Sequence, residues 1–458
     1  MVNIPKAGRP VLEPLAVGFS SRVFSRVVVL AFAAILTTGR RTIANVLRTV
    51  QSLAAGSAST YHRVLSRRRW AEWQLARALA TLVLQTCVPS GVVACCGDDT
   101  VDEHRGKKVY GKGCHRDAVR STHSHTAFRW GHKWIVLCIL VKLPFSTRPW
   151  ALPVLVALYR PKEWNKKHRR RHKTPAELMR QLLAVLIRWF PERKFRFAGD
   201  GGFGTHNLAG FAHRLGKCLA VVSRFYPDAN LYAPPSKVRK PKNGRPRKKG
   251  RKLPAPEQVV KRSRRKKRLK VRWYGGGWRL VEIVTAVGHW YKAGEGLVPI
   301  RWVYVHDKTG THRDDYFFTT DLKLTPRQII EAFTGRWSIE TMFQEVRAYL
   351  GLETTCGRTQ KTVLRAAPAL FGLYTLVVLL YLQLPQRKRR TLVHWAGKKN
   401  VTFSDAISAV RRWLWLEWAF ENHGDHQPFA KLSAKTQQLV LYALAQAASQ
   451  FNLGQSRA

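Results

Sequence analysis

The 458-residue chain predicts an α/β core with helical parts at both ends, and three observations predict it. Short apolar runs of strand length alternate with helical segments between residues 91 and 224. The first 90 residues and the stretch after Gly351 carry helical patterns. Between these parts a Lys/Arg-rich tract followed by strand-like segments splits the core. Hydrophobic content of 45%, with 16 Trp and 20 Phe, supports a folded chain, and the length allows two or three domains.

In order along the chain, Phe19 to Thr37 predicts an apolar helix, and Thr38-Gly-Arg-Arg restarts a second after a glycine break. Ser57 and Ser59 are N-cap candidates for a third segment, which ends in Arg67, Arg68 and Arg69. Short helices joined by tight turns, the later ones basic, resemble a helix-turn-helix reader; a helical lobe with a solvated basic face shows the same pattern. Val92 to Cys96, Trp134 to Val141 and Trp150 to Tyr159 read as strands, with Pro153 placing the last at an edge. Thr174-Pro-Ala-Glu177 is a capping box with proline at the first helical position, opening a helix through Phe190. Phe195 to Ala198 is the next strand, followed by a helix from Asn207 to Leu215 and a strand from Cys218 to Ser223.

From Ser236 to Arg272, 19 of 37 residues are Lys or Arg and only Glu257 is acidic, so this tract is expected to form no packed element. Trp278 to Val287, Val298 to His306 and Tyr316 to Asp321 read as strands. Thr325-Pro326 caps a further helix. Ala366 to Leu384 has no charge and is nearly long enough to span a bilayer; Pro368, Gly372 and Gln383 dilute it, and a buried core helix is the preferred reading. Trp413, Trp415 and Trp418 fit helix packing.

Eighty Lys and Arg against 27 Asp and Glu give a formal charge of +53. The basic tract carries +18 of it, so the rest of the chain is strongly basic too. Such a surface calls for a polyanion, DNA or RNA, with an anionic membrane as the competitor. Gly244-Arg-Pro has the form of a minor-groove hook, but Asn243 stands where such hooks want arginine, so it reads as a non-specific phosphate contact. Seven irregularly spaced cysteines with no C-x-x-C pair read as reduced thiols in a cytoplasmic protein. Lys6, Arg9 and Glu13 interrupt any secretory apolar run. Cys114, His115, His123, His125 and His132 cluster, but C-x8-H-x-H is not a recognised zinc spacing, and phosphate contact or plain loop is preferred.

Scarce acids give each carboxylate more weight. Gly97-Asp-Asp-Thr and Gly199-Asp-Gly-Gly place carboxylates where apolar strands end. Asp98 or Asp99 is the first; the position just before Thr100 favours Asp99. Downstream, Phe333, Arg336, Glu340 and Arg347 stand at i, i+3, i+7 and i+14, one face of a single helix. Asp99, Asp200 and Glu340 form an oxygen-only donor set of the kind Mg²⁺ requires. Two such ions about 4 Å apart supply the nucleophile, leaving-group stabilisation and charge neutralisation that phosphodiester cleavage needs. Asp321 is a rival second carboxylate whose other reading is a turn. Asp102 and Glu103 read as loop acids, and Glu345 as a surface or salt-bridging group. Trp337 either stacks on a flipped base or packs in the core, and Gly201-Gly-Phe-Gly either approaches a phosphate or makes a tight turn.

On these residues the chain resembles the DDE transposases of bacterial insertion sequences, in the branch whose helix carries Y-x2-R-x3-E-x6-K. Phe333 and Arg347 stand where that pattern has Tyr and Lys. The resemblance implies an RNase H-like mixed sheet flanked by helices, split by a β-rich insertion, with helical N- and C-terminal parts. It implies a helical DNA-binding domain over 1–90, the core over 91–224 and 306–385, a basic β-rich insertion over 225–305, and a helical region over 386–458. Asp99, Asp200 and Glu340 would be catalytic and hold two Mg²⁺ ions, for which Mn²⁺ can substitute. Arg336 and Arg347 would hold phosphates near the cut, with Phe333, Trp337, Arg67, Arg68 and Arg69 completing the DNA contacts. The partner implied is double-stranded DNA, both element ends and target, bound by a homodimer in the nucleoid, with no membrane. Two rivals stand beside it: another RNase H-like nuclease, and a non-catalytic DNA-binding protein derived from a transposase.

Overall fold

The computed structural model describes residues 3–117, 121–122, 124–235, 247–389, 397–424 and 426–446. Gly244-Arg-Pro and His123 lie outside them. Among the described residues, eleven strands form one mixed sheet: β1 (Val93–Glu103), β2 (Gly113–Arg116), β3 (Phe128–Val141), β4 (Trp150–Tyr159), β5 (Phe195–Gly199), β6 (Leu219–Arg224), β7 (Leu231–Tyr232), β8 (Lys267–Arg272), β9 (Trp278–Lys292), β10 (Gly296–Asp307) and β11 (Asp315–Thr319).

The middle of the sheet runs β4-β3-β1-β5-β6, with β3 antiparallel to β1 and β4, and with β5 and β6 parallel to β1. Three antiparallel strands followed by two parallel ones are the RNase H-like order. The parallel pairs need helical crossovers, supplied by helices Pro175–Trp189 and His206–Leu215. The first starts where the capping box predicts: the Glu177 amide donates to Thr174 Oγ1 (3.2 Å) and the Thr174 amide to Glu177 Oε2 (2.8 Å). Pro153 lies in β4, which among the described residues pairs only with β3, and the register slips between Leu137 and Cys138 opposite it. β1 runs well past the expected end at Cys96, so Asp102 and Glu103 belong to a strand, not a loop.

β11 pairs antiparallel with β6, Phe318 opposite Ser223, so the interrupting segment extends the core sheet rather than standing beside it. The basic tract does form packed elements in its second half, helix Pro256–Arg262 and β8. In β8 the alternation Leu269, Val271 turns apolar groups inward, while Lys267, Arg268, Lys270 and Arg272 stay exposed. A net charge count hid that period of two.

Two apolar cores result among the described residues. The larger joins the central strands to both helical ends; the smaller lies under β8 to β11 and includes Val271, Val303, Phe317, Ile330 and Phe333. Helix Ser21–Leu36 packs on helix Phe403–Leu414: Phe32 meets Trp413 and Trp418 edge-on, and buried Arg411 donates to the carbonyls of Ile35 (2.6 Å) and Thr37 (3.3 Å). Among the described residues, Gln360–Gln383 is the one helix long and apolar enough to cross a membrane, and it is largely buried inside the fold. Thr375 Oγ1 there donates to the Pro153 carbonyl (2.8 Å), which ties the helix to β4.

Candidate active site

The site begins with the alternation of β1. Successive side chains of a strand point to opposite faces, so Asp98, Thr100 and Asp102 share one face while Gly97 and Asp99 share the other. Asp98 Oδ2 meets Arg336 Nη1 at 2.7 Å, and Thr100 Oγ1 accepts from Arg347. On the opposite face a Cβ at Gly97 would lie 2.3 Å from Met179 Cε and 2.7 Å from Phe197 Cε2, so a side chain there would have to displace the packing against helix Pro175–Trp189. Asp99, expected as the first ligand, is turned to that second face and ion-pairs with Lys133 of β3 at 2.9 Å.

The parallel ladder fixes the second carboxylate. Gly97 is registered with Gly199, so Asp98 and Asp200 leave adjacent strands at the same level, with strand axes about 4.8 Å apart. Asp200 opens a tight turn: its Oδ1 accepts the Gly202 amide (3.0 Å) and its carbonyl accepts Ser223 Oγ (2.6 Å). Burial pushes Asp98 up to about 7, Arg336 draws it back, and the charge of Asp200 adds to the rise. Burial also raises Asp99, with Lys133 opposing and the charge of Asp200 adding to the rise.

The expected single signature helix is two. Pro326–Gly335 ends, Arg336 and Trp337 form a tight junction, and Ser338–Leu350 follows. The amides of Arg336 and Trp337 bond to carbonyls three residues back (both 3.2 Å), the narrower helical turn. The break has a packing cause. The first helix buries Ile329, Ile330 and Phe333 in the smaller core, and the second buries Ile339, Met342 and Val346 in the larger. Ser338 Oγ, donating to the Pro149 carbonyl (2.6 Å), pins the junction.

Phe333 therefore does not face DNA. It is 1% exposed and stacks on Phe317 at 4.3 Å, where a tyrosine hydroxyl would have to find a buried partner. Arg336, expected on a phosphate, is buried between two carboxylates, Asp98 and Glu340, the latter at 3.2 Å. Arg347 is half-buried and clamps the second helix to β1 through Thr100 and the Val101 carbonyl (3.1 Å), and also pairs with Glu353 (3.1 Å) in the turn after that helix. Trp337 is exposed beside the junction, and Arg67, Arg68 and Arg69 are exposed after helix Ala58–Ser66. Asp321 accepts the Lys323 amide (3.0 Å) in the turn before the Thr325 cap. Glu345 is not a surface group: burial raises it to about 7, Tyr374 donates to it at 2.7 Å, and Arg148 pairs with it at 3.6 Å.

Asp98 and Asp200 thus leave adjacent strands at one level, Arg336 links Asp98 to Glu340, and Asp99 pairs with Lys133 while sharing the charge of Asp200. Lys133 is what sequence reasoning missed; Asp98 was the alternative first carboxylate, and the Cys95, Gly97 and Asp99 alternation is the signal for the face it takes. The donor set is all oxygen, and the acids outnumber Arg336 and Lys133. That excess of negative charge at a strand end fits hard divalent cations.

The DDE superfamily endonuclease profile matches residues 14–279, which contain both aspartates. The archaeal putative transposase ISC1217 profile matches residues 291–385, which contain Glu340. No curated protein matches the chain. Among solved structures, the piggyBac transposase synaptic complex with hairpin DNA has 10% identity and a TM-score of 0.41, over 93% of this chain and 78% of that one.

Proposed function

The chain belongs to the DDE superfamily endonucleases, and from that premise we propose that it is a DNA transposase that cuts at the ends of an insertion element and joins them to target DNA. The observation that carries the reading is the register of Gly97 with Gly199, which sets Asp98 beside Asp200 while Arg336 ties Asp98 to Glu340. The formal charge of +53 supports a polyanionic substrate, and the transposase profile over the Glu340 region supports this class over a simple nuclease.

Asp98, Asp200 and Glu340 would hold two Mg²⁺ ions, or Mn²⁺ in their place, with Asp98 taking the position first given to Asp99. When bound, such ions would neutralise charge on the scissile phosphate and activate the attacking oxygen. The chain's own groups do the positioning. Arg336 orients Asp98 and Glu340 and compensates their charge before substrate arrives. Lys133 holds Asp99 out of the site, and Arg347 fixes the distance between the Glu340 helix and β1. Arg67, Arg68 and Arg69, with the basic strands of 225–305, hold the DNA backbone, and a homodimer in the nucleoid pairs two element ends.

The test is incubation of the full chain with DNA carrying its flanking genomic sequence and Mg²⁺. Ends are expected to be cut and joined, and Asp200→Asn to bind DNA without cutting. Undiminished cleavage by that variant overturns the assignment; ends released without joining identify a nuclease instead.

A further inference from the structure

Asp102 lies on the same face of β1 as Asp98, four residues on, or about 13 Å along the strand. Nothing in the proposed cutting reaction uses it. It is 0% exposed. Its Oδ2 accepts from Trp134 Nε1 (3.4 Å) and lies 3.2 Å from His104 Nε2. Its Oδ1 has no hydrogen-bond partner among the described residues. A buried carboxylate oxygen without a donor costs the fold free energy that a cation would return.

His132 pairs opposite Asp102 in the β1–β3 ladder and is buried. Its Nε2 lies 2.8 Å from the Tyr110 carbonyl, an acceptor only, so Nε2 carries the proton and Nδ1 keeps its lone pair. The rings of His104 and His132 stand 4.5 Å apart, edge to face. One ligand atom from each of Asp102, His104 and His132 lies within 4.8 Å of the other two.

We propose that Asp102, His104 and His132 bind one divalent transition-metal ion of the zinc class, at a structural site separate from the Asp98–Asp200–Glu340 site. Two imidazoles and one carboxylate are a borderline donor set that suits Zn²⁺ and disfavours Mg²⁺. Trp134 and the Tyr110 carbonyl already orient Asp102 and His132 from outside, the second-layer support that such ligands need. The His104 side chain, 10% exposed, is the entry path. For Nε2 of His104 to ligate, the proton it shares with Asp102 is exchanged through solvent for one on Nδ1, so the ring binds as a neutral imidazole with no net proton lost. The ion ties the end of β1 to β3 and to the 104–112 loop. Of the Cys/His group noted in the sequence, His132 joins this cluster; His115 packs on Tyr159, while Cys114 and His125 are exposed.

The experiment uses the full chain, stripped with a chelator, then dialysed against Zn²⁺ or Co²⁺ in excess Mg²⁺. One tightly held equivalent is expected, with the visible absorption of tetrahedral Co²⁺. The Asp98→Asn, Asp200→Asn double variant should retain it. His104→Gln should weaken it at least about tenfold without moving the melting curve of the metal-free protein. Three results overturn the proposal: wild type that keeps no Zn²⁺ or Co²⁺ against Mg²⁺, an ion lost from the double variant, or His104→Gln binding like wild type. The Co²⁺ spectrum of the unaltered protein decides the matter even if variants misfold, and none of these readouts depends on DNA cutting.

Discussion

Asp98 and Asp102 sit on one face of one strand, yet they live in different electrical company. Asp98, 16% exposed, has a guanidinium at 2.7 Å, a second aspartate on the next strand, and Glu340, 43% exposed, across the arginine. Asp102 is sealed among two imidazoles and an indole, with no arginine or lysine paired to it among the described residues. The open end gathers more negative charge than its fixed cations match, which suits a site that exchanges ions and phosphates. The closed end offers softer donors in a dry setting, which suits an ion that stays. Position on the strand, not residue type, separates the two roles.

The largest expected effect tests the open end. Asp98→Asn should lower the rate of end cleavage at least about a thousandfold, while Asp99→Asn, which loses only the Lys133 pair, should cost less than about tenfold. Equal losses in a Mg²⁺ cleavage assay would break the argument from strand alternation. Next, Arg336→Ala leaves Asp98 buried without its cation. Urea unfolding of the metal-free protein should show a loss of about 3 kcal/mol, partly restored by adding Asp98→Asn. No restoration would mean that the pair is not what makes the open end tolerable.

Glu345, on the same helix as Glu340 but facing Tyr374, sharpens the comparison as a buried carboxyl with neither a second acid nor imidazoles. Burial raises it from 4.5 to about 7. The folded state therefore keeps a proton that the unfolded chain has lost. That contribution is complete below the unfolded value and disappears as pH rises through about 7. Glu345→Gln should flatten the fall in unfolding free energy between acid and neutral pH by on the order of 1–3 kcal/mol. The smallest effect concerns the exposed arginines after helix Ala58–Ser66. Replacing Arg67, Arg68 and Arg69 by Ala should make the salt dependence of DNA binding shallower by up to about 3 in log–log slope, with the cleavage rate at saturating DNA unchanged.

The sequence by itself determined what local physics decides. The strands and helices of 91–224, the Thr174 cap, the edge position of the proline strand and the polyanion-seeking surface all follow from side-chain period, backbone donors and charge. The three acidic blocks were also legible, since carboxylates are rare in this chain. Only the tertiary structure decided the rest. Whether Asp98 or Asp99 meets Arg336 is a parity question, decided by which face of β1 each neighbouring helix covers. Phe333 and Glu340 lie on separate helices because two cores pull on one segment. Leu269 and Val271 make a strand of a basic tract only once β9 is there to pair with them. Asp102 meets His132 across thirty residues because the β1–β3 ladder sets them side by side. Spacing along a chain reports on neighbours a few residues away; which distant groups share a pocket depends on the packing that closes around them.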